Sequence, residues 1–584
     1  MMPGDDKARA ARVIRVVAMM AGVGAMIWSV RTLMTGRLLA GHRPEFHALR
    51  VILVDDLWQS GQFIPGWVPE LAGGLGYPLF IYYGWLSYAL AAELHALGMS
   101  PAAAVNAITV AAALWQAAGA WVLGRQLGGR AGAWMAWALF AFAPYQLMNV
   151  FVRANFPEFV AGSFAPWALW AMLRAVRARD RWSLPLGAIL LAAIIVSHNI
   201  SGLTLGTTIT AAGLCAAFTL PAGARKTGAQ RALLTAAAGV LLCAGFWLPI
   251  VAGRNQVHLA QDFQGYLSYQ EHFLYPHQLV ATGWSYGFSL PGPKDTMPLQ
   301  LGIAQVAAIV FAVPLALALA GRRSGRRRVR MVGFGLGAAL LAFLTTTWSA
   351  PVWARVSPLA VLQFPWRLHL PGTLMVAAAG ALAVRVFAAA GIRRRPLGIN
   401  AGTTLAAVVA LTMAALSFGY CKPADSYSCD EVCLRRFLGL GYYTTTMHDE
   451  FRPAAATDLM AVGRLMLTDQ AMLDGEVLPE ARLPAWIDRG DFALRSRIGH
   501  PGELLLPVFW FPGWSIVVDG VQQPAYPCQG SGALCTRIAP GDHNITAAWS
   551  PTLASHLGTA TSLATLAALL FWARRRKRVG KIVL

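Results

Sequence analysis

The chain has 584 residues, of which 56% are hydrophobic and only 13% charged, against about 25% charged in a typical soluble domain. With a mean hydropathy of +0.50, this composition excludes a disordered chain, a fibrous repeat and an ordinary soluble enzyme, and describes a protein whose main solvent is lipid. Lys and Arg number 48 against 27 Asp and Glu, a net charge of +21, but the basic residues fall in short runs between apolar stretches, as positive-inside bias places them; a lipid bilayer is the expected partner and nucleic acid is not.

In chain order, segments long and apolar enough to span a bilayer lie near 12–33, 102–124, 131–150, 158–174, 185–201, 203–220, 232–251, 301–320, 331–348, 370–391, 400–419 and 554–573. The connectors with basic runs are Lys7 to Arg15, Arg125 with Arg130, Arg174 to Arg181, Arg225 to Arg231, Arg322 to Arg330, Arg393 to Arg395, and Arg574 to Lys581. Threading these twelve spans from an N-terminus inside puts every basic run, and both termini, in the cytoplasm. Residues 78–98 are also apolar, but counting them as a span would expel Arg125 and Arg130. Their Tyr and Trp content favours a helix lying in the outer interface. The Met1–Arg15 stretch followed by an apolar span with no small-residue cleavage site reads as a signal-anchor.

This threading makes 1–419 a transmembrane module with outer loops 34–101, 252–300 and 349–369, makes 420–553 an outer domain, and leaves 554–584 as a final helix with a basic tail. The outer domain is expected to be β-rich from about 500. Strands are read at Glu503 to Trp510, Trp514 to Val518, Val521 to Ala525, Ala533 to Ile538 and His543 to Trp549, with a turn at Asp519-Gly520. The expected fold class is therefore an all-α polytopic membrane protein of about twelve helices, with a periplasmic α/β-to-β-rich domain inserted before the last helix. Five of seven cysteines (Cys421, Cys429, Cys433, Cys528 and Cys535) fall in that domain. An oxidising compartment would let Cys528 and Cys535 close a short hairpin and one pair form among the other three. A zinc site at Cys421, Cys429 and Cys433 has little support from spacing alone.

Ionisable groups at a membrane edge are costly and so mark candidate sites. Arg43-Pro44-Glu45-Phe46-His47, then Arg50, Asp55 and Asp56, follow the first span; Arg153 and Glu158 follow the third. His198 ends the fifth, and Gln363-Phe364-Pro365-Trp366-Arg367-Leu368-His369 leads into the tenth. All fall on the same side. Each also has an ordinary explanation: loop charges at Arg43 and Arg50, a solvated helix face at Asp55 and Asp56, a capping ion pair at Arg153 and Glu158, a helix-end hydrogen bond at His198, an interfacial aromatic at Trp366. Together they would suit transfer from a lipid phosphate. A carboxylate takes the proton of an attacking hydroxyl, and arginine holds the phosphate that leaves.

These residues carry a resemblance that covers nearly the whole chain. Glu45-Phe46-His47, Gly61-Gln62-Phe63-Ile64-Pro65-Gly66-Trp67, Gly73 to Tyr83 and Ala143-Pro144-Tyr145 belong to it. So do Arg153 with Glu158, Ser197-His198-Asn199, Phe246-Trp247-Leu248-Pro249, Phe364-Pro365-Trp366-Arg367 and Pro512-Gly513-Trp514 before Asp519-Gly520. In this order they resemble the GT-C superfamily of polytopic glycosyltransferases, nearest to the YfhO-like and "6-pyruvoyl-tetrahydropterin synthase-related" bacterial membrane proteins; the second label implies no pterin chemistry, since the chain shows no such site.

The resemblance implies transfer of a sugar, with inversion, from a polyprenyl-phosphate donor to an envelope glycan, lipid or protein acceptor on the periplasmic face of the bacterial inner membrane. It places the catalytic acid of the first outer loop at Glu45, one methylene longer than the family's Asp, with Asp56 (or Asp55) in reserve and Glu158 as the second acid. Arg153, Arg367, His198 and His47 would bind the donor and its phosphate. Tyr442, Tyr443, His448, Asp449 and Glu450 are candidates for the acceptor, and Trp58, Trp67, Tyr77, Tyr82, Tyr83 and Trp85 for sugar or prenyl surfaces. No cofactor is expected; a divalent metal stays open, without a ligand cluster to support it. The rival readings are a lipid-linked glycan transporter or flippase and a non-catalytic envelope assembly protein of the same fold.

Overall fold

The computed structural model describes residues 4–258, 265–320, 325–390, 401–446, 449–485 and 490–575. Helix occupies every segment expected to span. Among the described residues, seven helices are long and apolar enough to cross a membrane, or eight if the pair Ala222–Leu242 and Ala244–Ala252, bent by 70°, is one span. The other segments fall short for stated reasons. Ser183–Ser197 has 15 residues, about 22 Å against a hydrocarbon core of about 30 Å, and Gly325–Leu344 opens on Arg326, Arg327, Arg328 and Arg330.

The helix Pro101–Ala141 would run about 60 Å if straight. It does not: Gly129 has φ 70° and ψ −153°, and a Cβ on Gly124 would lie 2.3 Å from the carbonyl oxygen of Gly132. The chain folds back on itself at Gly129, giving two antiparallel helices where two spans and a basic connector are expected. Their contact requires glycine, and His369–Ala390 packs beside them just as closely, with the Ala381 carbonyl where a Cβ on Gly128 would be.

The segment expected at the interface, 78–98, forms Leu79–Tyr82 and Leu86–Ala96; at about 16 Å the longer is half a bilayer. It packs on the helix Pro44–Gln59, which has Leu49, Val51, Ile52, Leu53 and Val54 fully buried. Apolar side chains all around this helix mark it as interior. At the other end of the helix Phe156–Val176, about 30 Å from Arg153, two basic connectors meet: burial, and then the charges of Arg330 and Arg179, lowers Arg177 to about 10.

The insert departs from expectation at its start. Strands β1 (Leu38–Leu39) and β2 (Ser426–Tyr427) first pin the insert to the loop after the first helix. β3 (Gln470–Leu473) and β4 (Glu476–Arg482) then begin the β-rich unit 30 residues earlier than the expected 500. β4 is an exposed edge strand containing Pro479, so it lacks the alternation that betrays a half-buried strand. β5 (Asp491–Ile498), β6 (Gly502–Phe509), β7 (Trp514–Val518), β8 (Val521–Gln523), β9 (Tyr526–Pro527), β10 (Ala533–Ile538) and β11 (Gly541–Trp549) follow. They pair, antiparallel throughout, as β4-β3-β6-β10-β9 and β5-β11-β7-β8. The expected Asp519-Gly520 turn joins β7 to β8 with positive φ at both residues, as a two-residue hairpin demands.

Cys528 bonds to Cys535 and Cys429 to Cys433, leaving Cys421 buried and free; the trio once weighed for zinc has two of its sulfurs joined to each other. The insert is docked rather than tethered. Phe509 donates its N–H to the Leu75 carbonyl and Ala72 to that of Tyr443, while Trp67, with no exposed surface, packs among Phe511, Trp514 and Trp549.

Candidate functional site: a guanidinium-rich cavity

A cavity of about 510 Å³ lies at the seam between the helices and the insert. Four arginines line it: Arg43, Arg50, Arg153 and Arg367. His42, His47 and His198 line it too, as do Tyr82, Tyr83, Phe288, Phe364, Trp366 and Phe451.

Arg153 sits on the floor. Asn155 caps the following helix, its side chain accepting from the Glu158 N–H, and Pro157 follows at its first turn; this brings Glu158 back under Arg153 at 2.8 Å. Glu158 also accepts from Tyr145, from Asn149 at 3.3 Å and from Asn155 at 2.9 Å. A carboxylate so enclosed is spent on fixing Arg153, whose guanidinium lies 4.6 Å over the Trp366 ring. Glu158 is not on the cavity wall.

Arg50 is 3% exposed and has no carboxylate partner among the described residues. It donates to the Tyr88 hydroxyl at 2.8 Å, to Thr445 Oγ1 at 3.2 Å and to the Thr445 carbonyl, and lies 4.2 Å over Tyr83. Arg367 donates to the Leu362 carbonyl and to Gln363 Oε1, both at 3.0 Å, and its buried Nε has no partner. Two guanidinium groups are thus held by neutral acceptors alone, although a buried cation is ordinarily paired with an anion.

The histidines are held as neutral donors and acceptors. His198 Nδ1 accepts the Ser201 N–H at 3.2 Å, which leaves Nε2 as its N–H donor. His47 Nδ1 meets the Tyr88 hydroxyl at 2.9 Å; burial, and then Arg50, holds it well below 6.5. His42 stacks on Phe288 at 4.1 Å, and burial followed by the Arg153 charge lowers it to about 4.

Several expected site residues lie elsewhere. Each helical residue advances about 100°, so Glu45 points some 160° away from His47, and Asp56, three turns on, returns to the side of Glu45. Glu45 pairs with Arg43 at 3.4 Å and accepts from Tyr427 at 3.2 Å. Asp56 takes both ends of the Arg435 fork, at 2.8 and 2.9 Å. Neither lines the cavity. Asp55 accepts from Gln59 at the surface. Of the aromatic candidates only Tyr82 and Tyr83 reach the cavity; Trp67 and Tyr77 are core, and Trp58 and Trp85 also lie off its wall.

Among the acceptor candidates, Tyr442 donates to both oxygens of Asp449 (3.0 and 2.9 Å), and burial raises Asp449 to about 6. Tyr443 packs on Phe46 and Phe437. His448 lies outside the described residues. Of the four that are described, Glu450 alone lines the cavity. His42 and Thr445 also line the cavity without a sequence signal, and Arg50, named only as a membrane-edge charge with no role, lines it too. For Arg50 the signal was present, as it stands three residues after His47 on one helix face.

Among the described residues, the one cluster of three potential metal ligands is Glu503 with Cys528 and Cys535, and those two sulfurs are bonded to each other. Residues 80–292 match the family model for the 6-pyruvoyl-tetrahydropterin synthase related domain, described as a membrane protein. The matched description is one of those the sequence suggested, and it covers little more than a third of the chain. The chain is a polytopic membrane protein.

No curated protein matches it. Among solved structures it is similar to the arabinofuranosyltransferase AftD from Mycobacteria, with 12% identity and a TM-score of 0.46 over 92% of this chain. The chain spans only 40% of that protein's length. It is also similar to ArnT from Cupriavidus metallidurans, in the apo state (13% identity, 74% of this chain and 78% of that one, TM-score 0.39). With ArnT bound to undecaprenyl phosphate the figures are 12%, 69%, 77% and 0.37. No residue role is carried over from these structures.

Proposed function

We propose that this protein is a membrane glycosyltransferase. It moves a sugar, with inversion, from a polyprenyl-phosphate donor to an envelope glycan, lipid or protein acceptor at the periplasmic face of a bacterial inner membrane. The observation that carries the reading is the charge of the cavity. Four guanidinium groups and one carboxylate, Glu450, line it, and counting Glu45 and Glu158 behind the wall still leaves positive charge in excess. Such a site favours an anion, and planar guanidinium forks suit phosphate oxygens.

Arg50, Arg153 and Arg367 hold the donor phosphate and stabilise the charge that grows on it as the glycosidic bond to the sugar breaks. The His198 Nε2–H and His47 hydrogen-bond the donor. Tyr82, Tyr83 and Trp366 offer faces to the sugar or the first prenyl units. Glu158 acts through Arg153, as a positioning residue. The two disulfides in the insert suit an oxidising compartment. Threading all twelve helical segments puts the insert and the cavity outside and the Arg177–Arg330 cluster inside.

The decisive experiment compares the lipid-linked sugars of cells with and without the protein. A polyprenyl-phosphate sugar should accumulate on deletion and disappear when wild type is restored. An unchanged pool of lipid-linked sugars would overturn the reading.

A further inference from the structure

Among the described residues, every acid near the cavity but one is already engaged. Glu158 is enclosed by four donors, Glu45 by Arg43 and Tyr427, Asp56 by Arg435, and Asp449 by Tyr442 and Arg452. Glu450 is the exception. It lines the cavity, and its Oε2, sealed from solvent, has no hydrogen-bond partner.

The backbone on both sides of Glu450 is tied down. Phe451 donates its N–H to the Tyr77 hydroxyl at 2.8 Å, and the preceding Asp449 is gripped by Tyr442. Five residues earlier, Thr445, with φ 57°, holds Arg50 through both its hydroxyl and its carbonyl. The same short segment therefore fixes one of the cations and offers the one free carboxylate. A buried carboxylate oxygen without a donor is costly unless a ligand supplies one.

We propose that Glu450 is the general base of the transfer, supplied by the insert rather than by the first outer loop; this rests on the glycosyltransferase reading above. The acceptor hydroxyl oxygen bonds to the anomeric carbon as the bond from that carbon to the phosphate oxygen breaks. The hydroxyl proton passes to a Glu450 carboxylate oxygen, and the electron pair leaves on prenyl phosphate, where the arginines receive the second negative charge. Glu450 then loses its proton to water. Inversion requires the acceptor to reach the anomeric carbon from the face away from the leaving phosphate, so the acceptor hydroxyl is the partner that lies beside Glu450.

The test uses full-length protein in nanodiscs and, as donor source, the total lipid extract of cells lacking the protein. Wild type should consume a lipid-linked sugar in that extract when membranes supply acceptor. Glu450→Gln should lower the rate by about 10²- to 10⁴-fold, the usual span for a general base, with affinity for undecaprenyl phosphate within threefold of wild type. Glu450→Ala should be equally slow and should regain at least tenfold in rate with added sodium formate. Glu45→Gln should stay within threefold of wild type. A Glu450→Gln rate within threefold of wild type would overturn the assignment alone, as would loss of rate and lipid affinity together with no formate rescue in Glu450→Ala. No consumption by wild type would instead overturn the transferase reading on which the assignment stands.

Discussion

Removing Arg367 separates binding from folding more cleanly than removing any other cavity cation. Its contacts are one backbone carbonyl, one neutral amide oxygen and the Phe364 ring at 4.8 Å, and its Nε is already unpartnered. Arg367→Gln therefore leaves no buried anion behind and should cost the fold little, about 1 kcal/mol. For a bound phosphate it deletes a charge-assisted hydrogen bond, roughly 1.5–3 kcal/mol, which at 1.4 kcal/mol per decade is about a 10- to 150-fold rise in Kd for undecaprenyl phosphate. Arg153→Gln should lose as much binding and also strand Glu158, adding about 3–5 kcal/mol of destabilisation. Titrating undecaprenyl phosphate and neutral undecaprenol into nanodisc-held variants, with thermal unfolding followed by tryptophan fluorescence, reads both quantities. An Arg367→Gln Kd within twofold of wild type, or an equal loss for undecaprenol, would refute the phosphate role.

Three further outcomes are expected. Asp56→Asn breaks its pair with Arg435, whose own side chain is 37% exposed, so it should lower thermal stability while turnover per folded molecule stays within twofold; a collapse of turnover in folded protein would return Asp56 to the reaction. Asp449, lifted to about 6 from 3.8 by burial while facing Tyr442, Tyr77, Arg452 and Glu450, contributes stability that is complete below pH 3.8 and lost as pH rises through 6; the stability of Asp449→Asn relative to wild type should climb by up to roughly 3 kcal/mol between pH 4 and 7, and a pH-independent difference would refute this. Cysteine probes at the exposed positions Arg130 and Ser60 should label from opposite sides of sealed vesicles, and same-side labelling would break the threading. Arg130 is preferred to Gly128, where any side chain would strike the Ala381 carbonyl.

The positions of the helices were legible because the signal is long. Twenty apolar residues between basic runs can be read without knowing any neighbour, and even the fold-back at Gly129 is announced by Arg125 and Arg130. Side-chain direction was not legible to the same degree. Glu45, His47 and Arg50 stand within six consecutive positions, yet a two-residue offset on a helix turns a side chain to nearly the opposite face. Reading 34–101 as an outer loop gave no phase, and so Glu45 was aimed at the site together with His47. Once Pro44 is recognised as the first residue of a helix, the direction of all three follows. Glu158 shows the complementary difficulty: its spacing from Arg153 predicts the ion pair correctly, but only the added donors Tyr145, Asn149 and Asn155 show that no lone pair is left for a proton in flight.

The contribution of the insert could not have been read from the span pattern, because its links to the membrane module are contacts between residues hundreds of positions apart. Arg50 is buried in the core of the helical part, but its neutralising dipoles come from Thr445, 395 positions later. A buried guanidinium deprived of those acceptors costs several kcal/mol, so the helical module alone would not hold Arg50 at the cavity. The dependence also runs the other way: Tyr443, Thr445 and Phe451 of the insert are held by Ala72, Arg50 and Tyr77 of the membrane module. Arg50 and Glu450 are consequently set by one docking event, which is a physical reason for a polytopic chain to place a β-rich unit before its last helix rather than after it: the insert is then anchored near its start by β2 against Leu38–Leu39 and at its close by Trp549 against Gly66-Trp67, both in the stretch that follows the first helix.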